Sequence, residues 1–427
     1  MKEFSRGIPP PVVRGGAKSC CGLSWYSLPV VACRLYEKPY FCKKPINIYT
    51  MKFEVASNVL LQHLQLIARV IASRSTLPIL ESVLFELEGD QLRLTAADMA
   101  NRMSTELTVN NVGGENGSFA VPERILLEPL KELPDQPISF EINMETKAAE
   151  IAYSNGHYSF VVQDASTYPV AASLSPEAIV SVIPAEALLS GLSATLFATS
   201  QDERRPIMTG VYLDFFEDKL VFVGSDGQIL VKQEDANVQS RRRSAFCLPR
   251  KACLLLRNVL PRLEGDVTLT YDSNYLHIEL GNYTLRARLL EGRYPNYNSV
   301  IPTSNPFSVK VDRAQLLSGA KRVSIFSNPA TSMLRMEFTP AGIRLSANDI
   351  DFSVAAEEHV PAECPANINM RIGFKSDVFQ TILQGMPSEE VIMTLADQTR
   401  AGLILPAENA QGISLCNLLL PMKLIGE

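Results

Sequence analysis

At 427 residues, with 46% apolar and 20% charged side chains, the chain has room for several globular cores. No apolar run reaches the ~18 residues of a membrane span, which excludes a helical membrane protein. The formal net charge is −6, but residues 1–50 hold eight basic and two acidic side chains, or +6, leaving −12 on residues 51–427. An acidic body excludes a surface that binds nucleic acid everywhere and still allows a local basic lining.

Residues 1–50 read as an extension apart from the rest. They hold the only tryptophan (Trp25), a Pro9-Pro10-Pro11 run and four of the eight cysteines: Cys20, Cys21, Cys33 and Cys42. The spacings fit neither a zinc ribbon nor a zinc finger. Ser24–Cys33 is too interrupted by Tyr and Pro for a secretory signal. The expectation is that Met51 is the natural start and that what precedes it is disordered or a mis-assigned start.

From Met51 one pattern runs three times. In residues 51–176, Phe53-Glu54-Val55 is a strand, and Leu60, Leu61, Leu64, Ile67, Ala68 and Ile71 follow at helical spacing. Alternating strands come next, among them Leu92–Ala97, which runs into a small-polar turn at Asp98. A second helix starts at Val121-Pro122-Glu123-Arg124, turns Ile125, Leu126, Leu130 and Leu133 to one face, and stops at Leu133-Pro134. More strands lead to Ser166-Thr167-Tyr168-Pro169. Residues 177–304 repeat the order: Val180-Ser181-Val182, a helix from Pro184, the strand Leu220–Ser225 with Asp226, a helix start at Leu248-Pro249-Arg250-Lys251, and Gly292-Arg293-Tyr294-Pro295-Asn296-Tyr297. Residues 305–427 do so again with Phe307–Val311, a helix through Leu316, Leu317, Ala320 and Val323, the strand ending at Asp349, a helix after Gly373-Phe374-Lys375-Ser376, and the tail Leu418–Met422. Asp98, Asp226 and Asp349 lie 128 and 123 positions apart, so the repeat is a whole domain. Each copy reads as two strand-helix-strands halves. The fold class is α+β with antiparallel sheets, in three repeated domains.

The residues offer no catalytic constellation. His63, His157, His277 and His359 sit in no metal-ligand spacing, and no phosphate loop or nucleophile elbow occurs. Neither cofactor nor metal is expected, and the chain reads as no enzyme. Gly224-Ser225-Asp226-Gly227 reads as a hairpin turn, because its counterparts lack the glycines. Cys247, Cys253, Cys364 and Cys416 read as buried free thiols of a reducing compartment, which places the chain in the cytoplasm. Two stretches look like interaction surface. Leu418–Leu424 is unusually apolar, and Pro421-Met422 should end its strand. Arg74, Arg204-Arg205 and Lys321-Arg322 recur near the first helix of each copy, which hints at one positive face.

Several stretches occur in an order similar to the bacterial DNA sliding clamps, the beta subunits of DNA polymerase III. They are Met51-Lys52-Phe53, Arg74–Leu80, Gly224–Gly227, Leu248–Lys251, Gly292–Tyr297 and Leu420–Leu424. The resemblance covers residues 51–424. It implies three clamp domains (51–176, 177–304 and 305–427) in a chain that pairs head to tail with a second copy. The resulting homodimer is a six-domain ring with helices lining the hole. Such a ring encircles duplex DNA without reading sequence and tethers the replicative polymerase. An ATP-dependent clamp loader and other proteins carrying a clamp-binding motif are the remaining partners. The resemblance implies a partner-peptide groove at Met208, Ser225, Gly227, Gln228, Leu230, Pro295, Ser299, Val300, Thr399, Ala401, Leu418, Leu419, Leu420, Pro421, Met422, Lys423 and Leu424. It implies DNA contacts at Arg74, Gln201, Arg204 and Arg205, and a ring interface pairing Phe160 and Val162 with Ile325 and Phe326. Gln228 stands where many relatives have His, Ser299 and Lys423 where they have Arg, and Ile425-Gly426-Glu427 extend the tail, all of which bears on peptide preference.

Overall fold

The computed structural model describes residues 50–72 and 74–424. The expectations for residues 1–49 and for Ile425–Glu427 lie outside them. The first domain runs β1 (Thr50–Ala56), α1 (Ser57–Ile67), β2 (Ser82–Glu88), β3 (Gln91–Ala97), β4 (Asn101–Thr108), β5 (Gly117–Pro122), α2 (Glu123–Glu132), β6 (Pro137–Asn143), β7 (Ala148–Tyr153), β8 (Gly156–Val161) and β9 (Gln163–Asp164). The second runs β10 (Ile179–Pro184), α3 (Ala185–Thr195), β11 (Gly210–Phe215), β12 (Leu220–Ser225), β13 (Ile229–Asp235), β14 (Ser244–Pro249), α4 (Arg250–Val259), β15 (Asp266–Tyr271), β16 (Tyr275–Leu280) and β17 (Tyr283–Arg288). The third runs β18 (Phe307–Asp312), α5 (Arg313–Ser324), β19 (Met333–Thr339), β20 (Gly342–Asp349), β21 (Val354–Val360), β22 (Ala362–Glu363), β23 (Met370–Lys375), α6 (Ser376–Gly385), β24 (Glu390–Leu395), β25 (Gly402–Pro406) and β26 (Ile413–Leu419).

Local chemistry sets the element boundaries. Pro122, Pro184 and Pro249 end a strand and stand one residue before a helix, with extended backbone. A proline there loses no helical hydrogen bond, since the first turn's N–H groups have no partner within the helix. The three Asp turns also share a mechanism. Asp98 Oδ1 accepts from the N–H of Ala100 (2.7 Å) and Asn101 (2.6 Å), and Asp226 Oδ1 from Gln228 (2.7 Å) and Ile229 (2.8 Å). The third turn is longer, and Asp349 Oδ1 accepts from Asp351 N–H at 2.9 Å. Half-exposed strands alternate, as in β19 and β6, whereas the continuous apolar run of β12 is buried at every residue. Phe222 of β12 packs beneath α3, where a Cβ on Gly191 would strike its ring, while Val221 and Val223 face a separate apolar cluster toward the third domain.

All strand pairing is antiparallel, and its topology joins the domains. Each domain contributes one four-stranded half built on its opening strand and one built on the strands before its second helix. The second half of domain 1 and the opening half of domain 2 merge through β4–β17 into one nine-stranded sheet, β10-β15-β16-β17-β4-β3-β2-β5-β9. Domains 2 and 3 merge in the same way through β13–β26, giving β14-β11-β12-β13-β26-β25-β24-β18-β22. Two halves stay single: β1-β6-β7-β8 and β21-β20-β19-β23. One core cluster runs continuously through domains 1 and 2 and a second fills domain 3. Phe53 stacks on Phe140 (4.7 Å between centroids) and Phe85 on Phe119 (5.0 Å).

Candidate interaction surfaces

The β13–β26 seam gathers most of the expected groove. Leu230 is in register with Leu418, and both are buried in one cluster with Ala401, Leu403, Tyr294 and Tyr297. Leu419 faces Ile229 across the same seam. The chain leaves the sheet at Leu420, whose N–H donates to Gln228 O at 2.9 Å and whose side chain is 41% exposed. Beyond Pro421, Met422 N–H donates to Gly373 O at 2.7 Å, and a Cβ on Gly373 would sit 3.0 Å from Leu424 Cδ2. The tail therefore ends its strand before Pro421 and crosses onto β23, with Lys423 exposed. Val300 is an exposed apolar residue near the linker that joins domains 2 and 3. Ser299 Oγ donates to Asn296 O at 2.7 Å. Met208 is buried at the end of the single turn Pro206–Met208, and its neighbour Ile207 packs against the seam cluster. Thr399 is exposed in a turn held by Asp397.

The linker explains the Gly292–Tyr297 motif. Gly292 takes φ +120°, a conformation glycine adopts without strain. Tyr294 then stacks on Tyr212 at 4.5 Å, and Tyr297 donates its hydroxyl to Asp214 at 2.7 Å. Arg243 bonds the same buried carboxylate and lies over the Phe216 ring. Pro295 is exposed on this linker and lines a cleft of about 870 Å³ together with Tyr212 and Arg243. The hairpin Ser225–Gln228 borders the tail, where Gln228 O accepts from Leu420 N–H. Ser225 Oγ donates to Ile229 O at 2.8 Å, and Gly227 takes φ +95° with the Arg205 guanidinium 3.2 Å from where a Cβ would stand. Because Asp226 takes two of the turn's N–H groups, this hairpin has few donors left for an anion.

The expected basic face divides. Arg74 and Gln201 are exposed. Arg204 is bound to Asp202 at 2.9 Å, and that hydrogen bond with Arg204 holds the Asp202 carboxyl below its usual value. Arg205 leans toward the rim of the seam and donates to Asp226 O at 3.4 Å. Arg322 is paired with Glu358 at 2.9 Å. Three helix-borne cations are exposed with no carboxylate partner among the described residues: Lys321 on α5, which the sequence had placed on the positive face, and Arg124 on α2 and Arg257 on α4, which it left unremarked.

Leu248-Pro249-Arg250-Lys251 proves to be a structural joint. Arg250 donates to Leu196 O (2.9 Å) and Thr199 Oγ1 (2.7 Å), which fixes the loop leading to Gln201. Lys251 reaches into domain 1, donating to Val70 O (2.6 Å) and Asp98 Oδ2 (2.5 Å). His63, inside α1, hydrogen-bonds Thr105 at 2.7 Å and stacks on Tyr283 across the same junction. Among the described residues no cluster of His, Cys, Asp and Glu could hold a metal ion. No described helix is long and apolar enough to cross a membrane.

Among the described residues, β8 and β21 are unpaired outer strands of the two single half-sheets, opposite β1 and β23. Phe160 lies on β8 and is partly buried. Val162 needs correcting: it is 3% exposed and belongs to the core of domain 1, so it offers a partner no surface. Strand alternation turns its neighbour outward instead, and Val161 is 68% exposed. In domain 3, Ile325 (78%) and Phe326 (38%) are exposed beside α5, and Ile350, Phe352 and Val354 are exposed at the start of β21.

Family comparisons agree with this architecture. The profiles for the DNA polymerase III beta subunit match in order: the N-terminal domain over residues 51–172, the central domain over 182–296 and the C-terminal domain over 298–423. A beta sliding clamp from Pseudomonas aeruginosa is 28% identical over 375 residues, 88% of this chain and all of that one. One from Synechococcus elongatus is 31% identical over 322 residues, 73% of this chain and 84% of the relative. The crystal structure of the Pseudomonas aeruginosa clamp bound to griselimycin superposes with a TM-score of 0.81, covering 88% of this chain and 100% of that one. The Bacillus subtilis clamp, at 22% identity and a TM-score of 0.81, shares the fold.

Proposed function

The chain belongs to the DNA polymerase III beta subunit family, the sliding clamps that make the polymerase processive, and from this premise we propose how it closes, what it holds and where partners dock. Two copies join head to tail into a ring of six domains around duplex DNA. The observation that carries this is the sheet topology. Both junctions inside the chain use the third strand of one domain's second half and the last strand of the next domain's opening half, β4 with β17 and β13 with β26. The strands holding those two positions with no partner among the described residues are β21 and β8. A β8–β21 contact between copies repeats the internal junction, and a contact between unlike surfaces that closes on itself makes a ring.

The internal registers extend to this contact. Arg102 pairs with Arg286 and Leu230 with Leu418. Carrying that offset through the Asp turns sets Ser159 opposite Ala355, Phe160 opposite Val354 and His157 opposite Glu357. Ile325 and Phe326 flank the closing strand, which accounts for their exposure. In this contact Phe160, Ile325 and Phe326 keep their expected places and Val161 takes that of Val162.

Within the ring, DNA is held through its phosphates, with Arg74 and Gln201 joined by Arg124, Arg257 and Lys321. Topology supplies retention, so a mild lining on an acidic body suffices. The chain is a non-catalytic tether of the cytoplasm with no cofactor, and ATP hydrolysis belongs to a separate clamp loader. The polymerase and other motif-bearing partners insert a peptide over Leu230, Ala401 and Leu418, between the Gln228 rim and the Leu420–Leu424 tail. Light scattering should give a particle near twice the 47.1 kDa chain mass. Protein loaded on nicked circular DNA should be lost when the circle is cut. A strict monomer at micromolar concentration, or equal retention on linear DNA, would sink this reading.

A further inference from the structure

The repeat that builds the Leu230–Leu418 seam also builds the β4–β17 seam, and there the side chains are of another kind. The register pair that corresponds to Leu230–Leu418 is Arg102–Arg286. Two guanidinium groups thus stand directly across a strand pair, an arrangement that repels unless an anion lies between them. Neither makes an ion pair among the described residues. Glu86 acts on Arg102 only at longer range, Asp272 acts on Arg286 likewise while accepting backbone N–H groups, and Asp98, which also lines the cleft described below, is bound to Lys251. Arg102 lies 5.4 Å over the Tyr168 ring and donates to Pro169 O, while Arg286 lies 5.6 Å over Tyr275. The Nε and Nη2 of Arg286 are buried with no acceptor among the described residues, a state that buried donors rarely keep.

Both arginines line a cleft of about 200 Å³. Its floor is apolar at Leu80, and its mouth carries Leu77, Met99 and Val170, exposed by 41%, 70% and 93%. We propose that this cleft is a second peptide-docking site, selective for a short extended segment that sets an Asp or Glu side chain beside an apolar one. The paired guanidiniums supply the forked geometry that a carboxylate accepts, and the apolar mouth supplies contact area that a bare anion would not use. The chain's own first fifty residues, at +6, have the wrong sign for this site. The assignment stands on the repeat and on these side chains, whatever the Leu230–Leu418 seam binds.

The test is a fluorescence-polarisation titration of the full chain with a fluorescein-labelled peptide of alternating leucine and aspartate. Arg102→Gln with Arg286→Gln should weaken binding by roughly tenfold or more, as should replacing the peptide's aspartates with asparagine. Met99→Asp, an exposed change at the mouth that leaves the core alone, should do the same by like-charge repulsion. Absence of saturable binding to the wild-type chain overturns the proposal, and so does undiminished binding to Met99→Asp. Loss of binding on deleting Leu420–Glu427 would place the peptide in the other groove, and displacement by inorganic phosphate would make the site a simple anion site; either result overturns it.

Discussion

Ile325→Ala isolates the ring contact from the fold. The side chain is 78% exposed in the single chain, so nearly all of its burial must come from a partner. Truncation to Ala removes three carbons, and at ~0.8 kcal/mol per buried CH₂ this costs roughly 2 kcal/mol at each interface. A head-to-tail dimer has two equivalent interfaces, which makes about 4 kcal/mol for dissociation, or about a thousandfold in Kd. Sedimentation equilibrium over a dilution series measures this directly. The melting of the dissociated chain should not move, because packing within the chain is untouched. Val162→Ala is the matched opposite: that side chain is buried within domain 1, so the change should lower domain stability by about 1–2 kcal/mol and leave Kd nearly alone. A Kd for Ile325→Ala within about threefold of wild type would refute the head-to-tail contact at this edge.

Deleting Leu420–Glu427 should abolish polymerase binding and leave the dimer intact, because β26 ends at Leu419; loss of the dimer in light scattering would show the tail to be structural. Arg124→Ala with Arg257→Ala should lower the salt dependence of DNA retention by about one unit of slope for each phosphate no longer neutralised. Arg204→Ala with Arg205→Ala should do so less, since Asp202 and Asp226 already engage those cations. The domain 1–2 junction should loosen in acid. Burial alone would raise the Asp98 carboxyl, but the hydrogen bond from Lys251 and those from Ala100 and Asn101 hold it below its ordinary value. A lowered folded value stabilises above the unfolded one and is lost as pH falls through it, so amide exchange in β4 and β17 should quicken below about pH 4. Asp98→Asn should flatten that response.

The triple repeat was legible because each copy repeats the same punctuation: strand, proline, helix, and later an Asp turn. Those signals are local, fixed by backbone hydrogen bonds within a few residues, as at Asp98 and Asp226. The seams were not legible. Which strand edges meet depends on pairing between residues as distant as Leu230 and Leu418, and neither shows that in its own neighbourhood. Val162 failed for a related reason. Alternation decides which of two adjacent valines faces out, and a one-residue slip exchanges them. Sequence shows the charge of Arg205 and not its direction, and the guanidinium turns toward Gly227. Arg124 and Arg257 went unremarked because isolated cations on amphipathic helices resemble ordinary solvent decoration.

The two open strand edges have a further consequence. A lone chain exposes β8 and β21 together with Ile350, Phe352 and Val354, the kind of bare edge that seeds aggregation. On the head-to-tail contact proposed above, a chain can in principle go on adding copies. Whether it grows into a filament or stops at two depends on the curvature accumulated across its two internal seams together with the angle at the contact between copies. Those seams are then counting devices. A substitution at Lys251 that changes the angle between domains 1 and 2 would alter how many copies close, far from the surface where they touch.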